Sequence, residues 1–425
     1  MAAIDPTHQK KVETQSRSRK SGSGASLQPP DGFNQSQWRE AFLEEAKQLL
    51  DWWSEQMLDH ENGGCYGRRD AYNRLYPQAQ KGVIMHTRVL WTFAAASRTL
   101  DSPQYRAVAE QMYAYIKEHF LDLQHGGVRW MLDQNGQVVN GRKQIYAQAF
   151  AIYAFSEYYL LTQEQEALDL ALELFGLIER YSYDPNYGGY LEAFGTKWQE
   201  LDDFRLSTKD ANEAKTMNTH LHIMEAYVNL YRAYPQPRVG SSLRRIMSCI
   251  QSRFINPETG HQTLFFDEQW QAKSSAISYG HDIECSWLLW EAAEVLGDEA
   301  VSAELLPSVL RMAQSTLEEG LDHEGGVLNE LAGEHLDSDL HWWPQAEAVI
   351  GFWNAYQLSQ KPPYAQAAQN CWQIIERYLK DREHGEWHWR VNAQREINRT
   401  ENKAGPWKAP YHNVRMCLEM IRRLA

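Results

Sequence analysis

One turn motif written six times constrains this chain more than any other feature. The copies are DHENGGCYG at 59–67, DLQHGGVRW at 122–130, DPNYGGYLE at 184–192, NPETGHQTLFF at 256–266, LDHEGGVLNE at 321–330 and DREHGEWHW at 381–389. Their shared glycines, at 63, 126, 188, 260, 325 and 385, are spaced by 63, 62, 72, 65 and 60 residues. Near-constant spacing on that scale marks a repeat architecture in which each unit is one supersecondary element. Glycine takes positive φ without steric cost, so each copy reads as a tight turn followed by a short strand-like piece (CYG, VRWM, YLEA, TLFF).

Between copies lie paired stretches of helical apolar periodicity: 36–59, 83–100, 103–120, 143–161, 165–181, 217–235, 240–255, 277–297, 300–319, 342–359, 363–381 and 409–424. In 217–235, for example, Met217, Leu221, Met224, Ala226, Tyr227 and Leu230 return to one face and Pro235 closes the helix. Six helix pairs predict an all-α (α/α)6 barrel with short β-hairpins at one mouth. The helix after each turn is the more apolar of its pair and is assigned to the inner ring. Residues 1–34, which include the polar, basic QSRSRKSGSGAS, read as a disordered tail, and 35–425 as a single domain.

Composition removes several function classes. A net charge of −14, with Lys and Arg scattered, argues against a nucleic-acid partner. No apolar run is long enough to span a membrane, and no signal-peptide core is present. Cys65, Cys249, Cys285, Cys371 and Cys417 form no CxxC pair, so neither a disulfide framework nor a zinc site is expected, and a reducing cytoplasm fits. GxGxxG, Walker and GxSxG motifs are absent, which argues against a bound nucleotide or a serine nucleophile. The 16 Trp, 22 Tyr and 13 Phe are many, and aromatics placed beside Gly, His or Pro often line a ligand site.

At or near the starts of the six inner helices stand Arg88, Tyr146, Asn218 with His222, His281 with Glu284, Trp342 with Trp343, and Tyr411 with His412. Six starts delivering polar or aromatic side chains to one mouth are what a pocket needs. Histidines flanking a substrate carbon can act as base on one side and acid on the other. His281 and Glu284, at i and i+3, share a helix face, so the carboxylate is expected to orient the imidazole. A metal would need His220, His222 or a distant acid to complete a ligand set, and with no HExxH pattern none is expected. The Trp-rich segments HWWPQAE and GPWKAPYHN offer flat faces for sugar rings, with rim packing as the alternative. Arg88, if buried, needs a partner, either a substrate oxygen or an internal carboxylate.

With these residues assembled, the chain resembles the N-acylglucosamine 2-epimerase superfamily, and within it the cellobiose 2-epimerases. The segments MNTHLHIMEAY, SYGHDIECSWLL, HWWPQAEA and GPWKAPYHNVRMCLE carry the resemblance, which runs from about residue 35 to the C-terminus. It implies a cofactor-free epimerisation at C2 of the reducing-end sugar of a β-1,4-linked disaccharide. It implies that His281 and His412 form the acid/base pair and that His222 assists. Arg88, Tyr146, Asn218 and Glu284 would contact the reacting end, and Trp343 and Trp407, with Trp342 beside them, would hold sugar rings. One departure is Ala409, where the family pattern WKCPYH has Cys. Other readings stay open: a monosaccharide 2-epimerase or aldose–ketose isomerase, favoured if 193–216 closes the pocket; a glycoside hydrolase using Asp337, Asp339 or Glu347; and a non-catalytic partner-binding toroid. The assembly is expected to be a monomer or homodimer.

Overall fold

The computed structural model describes residues 34–425; the expected tail lies outside them except for Asn34, whose side chain accepts from the Gln37 N–H and caps the first helix. Among the described residues there are twelve α-helices: α1 (Gln35–Gln56), α2 (Val83–Leu100), α3 (Pro103–Tyr115), α4 (Ile145–Thr162), α5 (Gln165–Leu177), α6 (Met217–Ala233), α7 (Pro237–Cys249), α8 (Tyr279–Leu296), α9 (Glu299–Glu319), α10 (Trp342–Ser359), α11 (Pro362–Ile374) and α12 (Tyr411–Arg423). The even-numbered helices form the inner ring, each packed on the next, and α12 closes on α2. Each odd-numbered helix packs outside its partner, α1 against α12. This is the (α/α)6 barrel that the six turns predict.

Amphipathicity sorts the two rings. Outer α7 buries only Val239, Gly240, Ser242, Leu243, Ile246 and Met247, one stripe facing inward. Inner α4, IYAQAFAIYAFSEYYLLT, has no polar face, because neighbours surround it. Helices α2, α4, α8 and α10 end on left-handed residues, Asp101, Gln163, Gly297 and Gln360, which turn the chain directly into the outer helix. Outer α3, α5, α7 and α11 continue into a π-helical turn opening on isoleucine (Ile116, Ile178, Ile250, Ile375), a widening that apolar periodicity does not reveal.

The turns obey one rule. Their first residue, Asp59, Asp122, Asp184, Asn256, Asp322 or Asp381, accepts backbone N–H donors from within the turn through its side chain. The key glycine has φ between 75° and 88° in all six copies, which is why it is glycine. In five of the six copies the residue two positions on then donates its N–H to a side chain on the first turn of the following inner helix, whereas in the sixth Trp387 N–H donates to Glu386 Oε1 within the turn. The pairs are Cys65 to His86 Nε2 (3.0 Å), Val128 to Gln148 Oε1 (2.7 Å), Tyr190 to His220 Nε2 (2.9 Å), Gln262 to Asp282 Oδ1 (2.9 Å) and Val327 to Gln345 Oε1 (2.8 Å). Buried lysines bind the turn aspartates from the strand ahead of three inner helices: Lys81 to Asp59 (2.7 Å), Lys143 to Asp122 (2.7 Å) and Lys215 to Asp184 (2.6 Å).

Short strands mostly pair across repeats rather than within them. The two residues before an inner helix ladder with the strand after the next turn: 81–82 with 131–132, 143–144 with 193–194, 215–216 with 265–266, 277–278 with 330–331, and 340–341 with 390–391. The mouth that carries the inner-helix starts is thereby laced together around the ring.

Candidate active site

The inner-helix starts enclose a chamber of about 190 Å³ lined by Arg88, Tyr146, Asn218, His222, His281, Glu284, Trp342, Trp343, Trp389, Trp407 and His412. All ten residues given a site role from the sequence meet there, whereas Tyr411, also noted at a helix start, does not line the chamber and bonds Glu225 and Arg415 instead. Trp389 was missed, although it closes the sixth turn motif; its carbonyl accepts from Trp342 N–H at 3.0 Å, which fixes it against the start of α10.

The three histidines are held differently. His222 Nδ1 lies 2.8 Å from Glu225 Oε2, and His412 Nδ1 lies 2.6 Å from Glu347 Oε1. An ionised carboxylate can only accept, so it fixes the proton on Nδ1 and leaves Nε2, which has no partner among the described residues, as the basic atom. His281 Nδ1 instead meets Ser278 Oγ at 2.8 Å, and a hydroxyl supports either tautomer. The expected orientation of His281 by Glu284 is therefore corrected. Glu284 Oε1 accepts from Arg415 Nη2 at 2.8 Å and sits 3.8 Å from His412 Nδ1, because α8 and α12 flank α10 in the ring and both project these side chains into the barrel interior.

Arg415 is the hub beneath the chamber. Its guanidinium donates to Glu284, to Glu347 (2.7 Å), to Glu225 and to the Tyr411 hydroxyl, all of them buried. Burial pushes up the carboxyl of Glu225, but Arg415 and the His222 hydrogen bond outweigh it and hold that group at about 2. Glu284 is pushed well above the carboxylate range by burial and by the Glu347 charge beside it. Burial also lowers the imidazoles: His281 to about 3, and His222 and His412 below the ordinary value, so all three are neutral at neutral pH.

Glu284, Glu347 and His412 bring ligand atoms within 4.8 Å of one another, the one such cluster among the described residues. The cation held by its two carboxylates is the Arg415 guanidinium. His220, the other suggested metal ligand, is engaged at both ring nitrogens, with Thr216 O (2.7 Å) and the Tyr190 N–H. Arg88 has no carboxylate partner among the described residues. It donates to the Tyr146 hydroxyl (2.7 Å) and the Trp407 carbonyl (3.2 Å), and its Nε is buried without a partner, as is Asn218 Oδ1.

Aromatic rings wall the chamber. Trp343 packs against both His281 and His412, at ring-centroid distances of 4.7 and 5.7 Å. Trp342 is almost wholly buried and stands edge-on behind His412, and Trp407 faces Tyr146 and Trp130. Two larger cavities adjoin, one of about 450 Å³ sharing Asn218 and His281, the other of about 430 Å³ sharing Tyr146, Asn218, Trp389 and Trp407. Segment 193–216 contributes Phe204, Arg205, Leu206, Lys209 and Asp210 to these outer cavities. The hydrolase candidates are otherwise engaged: Asp339 pairs with Arg390 (2.9 Å), Asp337 accepts from Asn329 (2.8 Å), and Glu347 holds His412.

A helical toroid whose inner-helix starts converge on histidines and tryptophans is the build of a carbohydrate epimerase. The chain belongs to the N-acylglucosamine 2-epimerase (GlcNAc 2-epimerase) family, whose profile matches residues 39–416, and it is an enzyme of that class. It is 46% identical over 375 residues to cellobiose 2-epimerase of Bacteroides fragilis, covering 88% of this chain and 95% of that protein. It is 38% identical over 376 residues to cellobiose 2-epimerase of Ruminococcus albus, covering 88% and 96%. The solved cellobiose 2-epimerase of Bacillus thermoamylovorans superposes with a TM-score of 0.87 at 36% identity, covering 91% of this chain and all of that one. No described helix is long and apolar enough to cross a membrane.

Proposed function

We propose that this enzyme epimerises C2 of the reducing-end sugar of a β-1,4-linked disaccharide such as cellobiose, with lactose and mannobiose as further candidates. The observation that carries the reading is the convergence of three histidines and an acid-free arginine on one aromatic chamber. At about 190 Å³ it is of the size of one sugar ring, and the larger cavities beside it leave room for a second. The relatives named cellobiose 2-epimerase support the same substrate class.

A proton α to an aldehyde is weakly acidic, so the ring must open before C2 can be deprotonated. In this reading His222 moves the proton that opens the ring. His281 and His412, on separate inner helices, face C2 from two sides: one takes the proton through Nε2 and the other returns one to the opposite face. The pair works with one added proton between them: with sugar bound, the acid ring takes that proton from water, the base ring gains the C2 proton as the acid ring gives up its own, and exchange with water resets the two, while the negative enediolate stabilises the imidazolium that burial alone disfavours. Arg88, Tyr146 and Asn218 hold the oxygen that becomes negative, Glu284 contacts the reacting end, and Trp343, Trp407 and Trp342 hold or back the rings. Residues 35–425 act as one domain, since the helix ring closes on itself. Cytoplasmic residence is supported by five free cysteines, and the assembly is read as a monomer or homodimer.

The test is NMR of cellobiose incubated with the enzyme in D2O. The expected result is the glucosyl-mannose epimer carrying deuterium at C2, with both exchange and epimer lost in His281→Ala and in His412→Ala. Exchange retained in both variants overturns the pair assignment, and turnover of N-acetylglucosamine or mannose without cellobiose overturns the disaccharide assignment.

A further inference from the structure

We infer that Arg415 is a positioning residue for the reaction, aiming Glu347 and Glu225 at the Nδ1 atoms of His412 and His222 so that both imidazoles turn a basic Nε2 toward the sugar. The inference rests on the epimerase reading above and says how two of its three histidines are kept in working form.

The geometry carries it. Arg415 sits on α12 one helical turn beyond Tyr411, and its guanidinium is buried below the chamber without lining it. It reaches carboxylates from three other inner helices: Glu225 on α6, Glu284 on α8 and Glu347 on α10. Two of these carboxylates are themselves bonded to histidines that line the chamber, so each path is guanidinium, carboxylate, imidazole, sugar. Glu347 is fixed at both oxygens, Oε1 by Arg415 and His412 and Oε2 by the Trp287 indole N–H at 3.0 Å. Glu225 is likewise shared between Arg415, the Tyr411 hydroxyl and His222. A planar guanidinium has five donors in a fixed fork and can serve several acceptors at set angles, which an ammonium cannot. Removing it would leave three buried carboxylates repelling one another, and each would turn away from its imidazole or take up a proton. A protonated carboxyl can donate to Nδ1, which moves the imidazole proton to Nε2 and removes the base. His281 has no carboxylate on Nδ1 and serves as an internal reference.

The experiment compares wild type with Arg415→Lys and Arg415→Met by histidine 15N NMR of the sugar-free protein, alongside steady-state kinetics on cellobiose. In wild type, His412 and His222 are expected to show protonated Nδ1 and bare Nε2. In Arg415→Lys, which keeps a cation in the cluster, both should become tautomer mixtures while His281 is unchanged. Its kcat should fall at least tenfold with KM within threefold, and added guanidinium ion should restore part of the kcat of Arg415→Met. Wild-type tautomers in a folded Arg415→Lys, or a loss confined to KM, overturn the inference. If Arg415→Met does not fold, the Arg415→Lys tautomers and kcat decide alone. A wild type inactive on cellobiose refutes the epimerase reading, whereas the sugar-free tautomers still judge Arg415.

Discussion

Arg88 and Arg415 are both cations on apolar inner helices, and their surroundings set them apart. Arg415 is matched by three carboxylates, whereas Arg88 is held by neutral groups, Tyr146 OH, the Trp407 carbonyl and the rings of Phe150 and Tyr411 at 4.4 and 4.9 Å. A buried cation lacking its own anion is arranged for one that arrives with the reaction. Replacing Arg88 with Met is expected to lower kcat by about 10²–10³, the usual loss of one oxyanion donor, with the thermal midpoint little changed. Steady-state kinetics with calorimetry check this, and a drop confined to KM would place Arg88 in ground-state binding. The sequence exposed Arg88 through its position at an inner-helix start. Arg415 gave the same signal, an arginine inside the largely apolar HNVRMCLEM, but one turn deeper, where only the packed barrel shows what it meets.

At the scale of elements, the turn aspartates and their lysines form a natural substitution experiment. Three turns carry a buried Asp bound by a lysine from the strand ahead of the inner helix; the fourth has Asn256 where the Asp would stand and Ile277 where the lysine would. Charge and countercharge are lost together, as expected when either alone would be a buried, unpaired ion. Lys81→Ile is therefore expected to destabilise the fold by about 3–5 kcal/mol, and the double variant Asp59→Asn with Lys81→Ile to recover most of that loss. Urea titrations of the single and double variants measure the coupling. Equal losses in both would mean that the pair does more than compensate itself. The π-helical turns and cross-repeat ladders were not legible in the sequence, because both depend on how neighbouring repeats sit.

Across the whole molecule, burial keeps many imidazoles neutral. His86, His220 and His281 are lowered to about 3 and His341 and His388 to about 4, burial being the largest cause in each, and His222 and His412 are lowered as well. The unfolded chain takes up these protons near 6.5 while the folded one refuses them until far lower pH. Stability from this source is thus complete above pH 6.5 and lost as pH falls toward 4. Glu192, raised by burial to about 8, works in the opposite sense, as do Glu284, Glu347, Asp282, Glu330, Asp339 and His261, but the carboxylates the fold holds low, among them Asp59, Asp122, Asp184, Glu225 and Asp381, add to the loss as acid is approached. The denaturant midpoint should therefore fall between pH 7 and pH 4. A midpoint that stays level or rises over that window would show that the imidazoles are not held neutral.

The repeat spacing determined six units, twelve helices and which ring each helix joins, since turn chemistry and apolar period are local and survive in a linear reading. Placement at inner-helix starts likewise brought nine chamber residues into view, because a helix start is a position along the chain, and the Trp-rich segment before α12 supplied Trp407. What only the tertiary structure decided is which group holds which. His281 took Ser278 rather than Glu284, Glu284 took Arg415, and Glu347 took His412 from the neighbouring inner helix. The first of these is local and turns on which neighbour the helix start presents, while the other two join α12 to α8 and α10, side chains 131 and 65 residues apart that only the packing of the inner ring brings within hydrogen-bonding distance.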